Sequence, residues 1–229
     1  MKKLRTIIRW VIWTIAGLYI TTIVLLHIPA VQGFLAQKVG DVAGNKLGTE
    51  VHVGRIDLGF INRFVLDDIL IYDQSHKKML SASRVGARVD IWHLLRTGEI
   101  NISSAQLFGL RAELYKTSKD AKPNFQFVLD SLASKDTTSH APLHLSINSL
   151  VIRHGNIKYD CLDAPTTPNR LNLNHINVSD ISSYLILNKL DDTSVWADLR
   201  ALAFKEASGL EVKQLAFELK ANQQQAALR

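Results

Sequence analysis

Residues able to do chemistry are present in this chain, but their spacing assembles little of it. His140 and His144 stand four apart, the spacing at which two imidazoles on one helix face share a metal ion. Pro142 falls between them and no His-Glu-x-x-His pattern is formed, so metal binding is not expected. Asp67–Asp68 and Asp191–Asp192 are adjacent acids. Neighbours on a strand point to opposite faces, so these pairs suit turns better than acid–base work. No serine sits in a Gly-x-Ser-x-Gly elbow, and Gly40, Gly44 and Gly48 are not followed by the Gly-Lys-Ser/Thr of a phosphate loop. Cys161 is the single cysteine. It excludes a disulfide framework and a Cys-based zinc site, has no sequence neighbour that would activate it, and reads as a packing residue. No catalytic residue, metal site or cofactor is nominated, and the chain is not expected to be an enzyme.

The elements that position side chains are clearer. The chain has 229 residues and a formal charge of +6, yet Lys2, Lys3, Arg5 and Arg9 all precede the first acid. Without them the balance is 23 cations against 21 anions, so a nucleic-acid-binding body is not expected. At 47% hydrophobic and 21% charged, the chain is able to bury a core.

Trp10 to Ile28 is a run of 19 residues without a formal charge. At ~1.5 Å per residue it spans roughly 28 Å, close to the ~30 Å hydrocarbon core. A cleavable signal peptide has a shorter apolar region and a small-x-small exit. Ile28-Pro29-Ala30 puts a large residue where a small one is wanted, so an uncleaved anchor is the preferred reading. Cations before the span hold the N-terminus in the cytoplasm and place everything after Pro29 outside it.

From Val31 to Leu47 apolar residues recur at three- and four-residue spacing, as in an amphipathic helix lying on a membrane surface or covering the end of a sheet. Gly40, Gly44 and Gly48 fit either a close helix contact or a weak helix ending at Gly48; the second is preferred. Beyond Gly48 the period becomes 2. Val85, Ala87, Val89 and Ile91 alternate with polar or small residues, and so do Leu110, Ala112 and Leu114, then Leu215, Phe217 and Leu219. About ten such runs imply an antiparallel sheet with one apolar face and one wet face. Short helical turns are expected at Ile91–Leu95 and Phe125–Leu132.

The division that follows is a basic tail at 1–9, a membrane anchor at 10–28, an amphipathic helix at 29–48, a first β-rich segment at 49–132, a polar linker at 133–142 and a second β-rich segment at 143–229. Ile100–Tyr115 and Leu143–Tyr159 read as copies of one hairpin with Gly109 and Gly155 at the turns. Ala221–Arg229 shows neither a recognisable turn nor a partner strand, and the chain reads as the start of a longer one.

The order of these pieces resembles a known family. After the anchor and amphipathic helix come Val51-His52-Val53-Gly54-Arg55-Ile56 and Leu66-Asp67-Asp68-Ile69-Leu70-Ile71-Tyr72-Asp73. Then come Leu80 to Ile91, the Trp92-His93-Leu94-Leu95-Arg96-Thr97-Gly98 turn, Asn124-Phe125-Gln126-Phe127-Val128-Leu129, and Leu150 to Asp160. This succession is similar to the N-terminal region of TamB-type translocation and assembly module proteins, relatives of the AsmA group. The resemblance implies a curved β-groove of repeated hairpins anchored in the inner membrane and extending into the periplasm. It further implies a role in phospholipid transport and outer-membrane protein assembly, with an outer-membrane barrel partner engaged through a C-terminal region that this sequence does not contain.

Under that resemblance Val85, Ala87, Val89, Ile91, Leu110, Ala112, Leu114, Leu215, Phe217 and Leu219 become candidate lipid-groove residues. Their periodicity alone favours an ordinary two-sheet sandwich core, and it is the resemblance that turns the reading toward a groove. Two further readings are an anchored periplasmic scaffold that docks outer-membrane protein precursors by strand addition, and an AsmA-like envelope-maintenance protein.

Overall fold

The computed structural model describes residues 2–59, 62–90, 92–93, 96, 101–133, 146–190, 194–222 and 226–228. Helix α1 (Lys2–Leu26) contains the stretch Thr6–Leu26, 21 residues long and apolar enough to cross a membrane, none of whose apolar window is buried against the rest of the chain. Two of its threonines turn their hydroxyls back onto the helix. Thr14 donates to the Trp10 carbonyl and Thr22 to the Leu18 carbonyl, each at 2.9 Å.

Pro29 does more than end α1: it is the first residue of α2 (Pro29–Leu47). A proline has no N–H to lose there, and it pushes the preceding residue out of helical geometry. Ile28 is accordingly extended, at φ −73° and ψ 124°. The glycines of α2 divide their roles. Gly48 stops the helix in the left-handed conformation at φ 67°, its N–H returning to the Gly44 carbonyl. Gly40 and Gly44 make the close contact instead, but with a strand and not a helix. A Cβ on either would stand 2.8 Å from the Val51 carbonyl oxygen or 2.7 Å from that of Thr49.

Strands β1 (Val51–Leu58), β2 (Arg63–Tyr72) and β3 (Lys78–Val89) form an antiparallel meander. Then come β4 (Asn101–Phe108), β5 (Arg111–Lys116), helix α3 (Gln126–Ala133) and the short β6 (Ser146–Ile147). The chain continues through β7 (Ser149–Cys161), β8 (His175–Leu190), β9 (Ser194–Glu206), β10 (Glu211–Asn222) and β11 (Ala226–Leu228), again antiparallel neighbours from β7 onward. All eleven strands belong to one sheet, so the fold is mainly β with few helices. The described strands do not make the two layers of a sandwich.

Two expectations are corrected by the pairing. The segments around Gly109 and Gly155 are not hairpins. β4 and β5 both pair with β3 on one side and β7 on the other, as one strand that runs straight past Gly109, and β7 runs unbroken through Gly155. The two look-alike segments lie side by side and parallel: Ala105 faces Leu150, Phe108 faces Arg153 and Arg111 faces Asn156. This seam joins the two β-rich segments into one sheet. The C-terminal stretch also has a partner, since β11 pairs Leu228 with Leu219 of β10.

A line of left-handed residues crosses the strands: Asp68 (φ 54°) in β2, Gly109 (φ 63°) between β4 and β5, His154 (φ 54°) in β7 and Asp180 (φ 54°) in β8. Gly109 lies level with Ser83, whose Oγ a Cβ there would meet at 2.6 Å. Such residues break strict alternation of faces. In β1 the buried Val53 and Ile56 are three apart, yet both pack on Ala36 of α2, forming the core cluster with Leu35, Val51 and Leu66 around it.

Candidate apolar face of the sheet

Residues paired across neighbouring strands share a face, so the register turns short alternating runs into rows. One row starts at Phe64 in β2 and passes through Ala87 in β3, Ala105 in β4 and Leu150 in β7. It continues through Leu185 and Leu199 to Phe217 in β10. The next row runs Ile56, Leu66, Val85 and Leu107, then Ile152, Ser183, Leu202 and Leu215. Ser183 is the single polar member of either row. With strands ~4.8 Å apart, the seven intervals of the second row span roughly 34 Å.

Of the residues nominated from sequence, Val85 and Leu215 therefore stand in one row and Ala87 and Phe217 in the other. Val89 pairs with Ile102 and is 8% exposed. Ala112 pairs with Leu80 and Ile157, Leu114 with Tyr159, and Leu219 with Ala197 and Leu228. Leu110 is buried at the line of left-handed residues, its carbonyl accepting from the Asn156 N–H at 2.7 Å. Ile91 lies outside the described residues, as do His140, His144, Asp191 and Asp192. Sequence reasoning missed Phe64, Ala105, Leu150 and Leu199, whose membership is set only by long-range register.

Most row members are half-buried, and Leu215 is exposed. Helix α2 covers the β1 end of this face through Ala36, and Ala is the commonest residue among the buried apolar side chains of the described residues. Lys2, Lys3, Arg5 and Arg9 lie at the start of α1, ahead of most of the apolar run, with Arg9 inside the candidate span.

Polar groups hold the frame around the rows. Asp67 and Asp68 are strand neighbours of β2 and not turn residues: Asp67 is buried and Asp68 exposed. Arg84 Nε donates to one Asp67 oxygen at 2.7 Å and Arg55 Nη2 to the other at 2.6 Å. Hydrogen bonding from Arg84 leads the forces holding the Asp67 carboxyl below the ordinary range, against the opposing effect of burial. The clamp ties β1, β2 and β3 together beside the second row.

At the other end of these strands the Asp73 carboxylate accepts from the N–H groups of Ser75 and Lys77 and from the Tyr115 hydroxyl. His175 uses both ring nitrogens, 3.0 Å from Asp160 Oδ1 and 3.0 Å from the Ala164 carbonyl oxygen. Two acceptors demand two donors, so this geometry suits the imidazolium and leaves no lone pair for base catalysis. Cys161 is buried and its thiol donates to Asp163; that carboxylate, with burial, pushes the thiol pKa up and away from nucleophilic thiolate.

The chain matches no protein-family model and no curated protein. Among the described residues no group of three or more His, Cys, Asp or Glu is placed to hold a metal ion. What the arrangement offers physically is a long apolar strip on one face of a single sheet, starting at a helix that follows a membrane-length helix.

Proposed function

We propose that this chain is the N-terminal part of a TamB-like protein, anchored in the inner membrane with its sheet in the periplasm. It conveys phospholipid along the apolar face and thereby serves outer-membrane assembly. The observation that carries the reading is the pair of apolar rows crossing the sheet.

A strip of roughly 34 Å compares with ~15 Å for one leaflet's acyl region, half of the ~30 Å hydrocarbon core. An acyl chain thus fits lengthwise with room to advance. Ten methylenes leaving water gain up to about 8 kcal/mol, enough to keep the chain on the strip, while uniform apolar rows offer no single deep trap. No bond chemistry is required of the strip. The four leading cations favour a cytoplasmic N-terminus, so a reporter fused after Lys220 is active only in the exported compartment.

The deciding experiment places photo-crosslinking residues at Leu150 and Phe217 on the rows, and at Arg88 and Glu113 on flanking polar positions. Phospholipid adducts in cells are expected at the first two and absent at the others. Equal capture at all four sites, or no capture at Leu150 and Phe217 in folded protein, overturns the reading.

A further inference from the structure

Helix α2 runs antiparallel to β1: Ala36 meets Val53 and Ile56, Gly40 stands against Val51 and Gly44 against Thr49. The side facing the sheet is therefore built of small residues. Leu35 joins the cluster on the sheet, whereas Phe34, Val39 and Val42 point elsewhere, 59%, 40% and 68% exposed. Phe34, Lys38 and Val42 follow one another at four-residue spacing, on the side of the helix opposite Ala36 and Gly40. A helix already packed through one side thus presents an apolar stripe on the other.

The covalent chain names the surface nearest that stripe. The membrane-length stretch ends at Leu26 and α2 begins at Pro29, so α2 starts where α1 leaves the hydrocarbon. The stripe is not purely apolar. The Lys38 ammonium lies 5.9 Å from the Phe34 ring centroid, and Lys46 sits one turn past Val42. Long cationic side chains beside apolar ones suit the headgroup layer, where the stem stays dry and the ammonium reaches phosphate.

We infer that α2 lies flat on the bilayer surface, its Phe34–Val42 stripe in the headgroup–acyl boundary and its glycine side carrying β1. The inference rests on the membrane-anchoring part of the function proposed above. It deepens that reading by fixing which edge of the sheet meets lipid. β1 sits about one helix diameter, ~10 Å, above the surface. The strands lie along the membrane, and the apolar rows run away from it in the order β1 to β10.

The test uses the full chain, with Cys161→Ser as background, reconstituted in vesicles of phosphatidylethanolamine and phosphatidylglycerol. Nitroxide labels go on single cysteines at Phe34 and Val42, and on Lys213 of β10 as the aqueous reference. Labels at 34 and 42 are expected to lose relaxation by a water-soluble nickel chelate and gain relaxation by oxygen, with the reverse at 213. Nickel accessibility at 34 and 42 equal to that at 213 overturns the docking. The two readings fail separately. Wet α2 labels with lipid capture at Leu150 intact remove only the docking, and embedded labels without capture remove only the conduit.

Discussion

Gly40 of α2 and Val51 of β1 meet backbone to backbone, leaving no room for a methyl group between them. A Cβ at Gly40 would lie 2.8 Å from the Val51 carbonyl oxygen, a backbone atom of a strand fixed by its pairing with β2. Gly40→Ala is therefore expected to destabilise the protein by about 1–3 kcal/mol through overpacking, despite the better helix propensity of Ala. Gly33, on the same helix, has nothing within 4 Å of its Cβ position. Gly33→Ala should be neutral or stabilising by up to about 1 kcal/mol. Thermal unfolding of both variants in detergent checks the contrast.

Asp73 gives a second stability test. Burial opposes its charge, but the N–H of Lys77, the Tyr115 hydroxyl and the N–H of Ser75 outweigh that and hold its pKa below the ordinary value. A depressed folded pKa means this contribution is fully present above about pH 4 and is lost as pH falls through the folded value. Tyr115→Phe removes one charge-assisted bond and should cost about 1.5–3 kcal/mol. In an Asp73→Asn background the same change should cost clearly less, which a double-mutant cycle of unfolding free energies measures.

His175 works in the opposite direction. Asp160, and then the Ala164 carbonyl, raise its pKa above the ordinary histidine value. Its contribution is therefore complete below about pH 6.5 and declines as pH rises through the folded value. Amide exchange in the loop between β7 and β8 should accelerate as pH climbs past that point, after correction for the intrinsic rate. His175→Gln should flatten this extra pH dependence; an unchanged profile would show that the imidazolium does not hold the loop.

Much of this fold is legible in the sequence because local rules dominate where side chains alternate. β1 is found at Val51–Leu58 as its alternation predicts, and α3 lies within one residue of the expected turn. Gly109 and Gly155 mislead, because a glycine between two apolar runs reads as a turn. Here Gly109 passes β4 straight on into β5 and Gly155 lies within β7, at or beside the line of left-handed residues. Asp68, His154 and Asp180 adopt the same conformation with no local signal beyond residue types that tolerate it. The parallel seam is illegible for a different reason: β4 and β7 are brought together across α3 by pairing that no short window contains. The candidate face shares this limit. Val85 and Phe217 are each recognisable as inward residues, whereas the rows that contain them exist only once register is known.

Ser183 offers the sharpest functional test, because it already carries a polar group within the second row and is half-buried between Ile152 and Leu202. Ser183→Val completes the apolar row. It should keep or raise stability, by up to about 1 kcal/mol, and leave lipid capture intact. Ser183→Asp instead places a carboxylate on the strip, where a passing acyl chain would have to desolvate it. Lipid arriving from the anchored membrane meets β4 before β8 and β8 before β10. In the Asp variant, crosslinking at Leu107 should therefore persist while crosslinking at Phe217 falls sharply, with protein level and near-UV circular dichroism unchanged. Equal capture at Phe217 in the Val and Asp variants would mean that lipid does not travel along these rows.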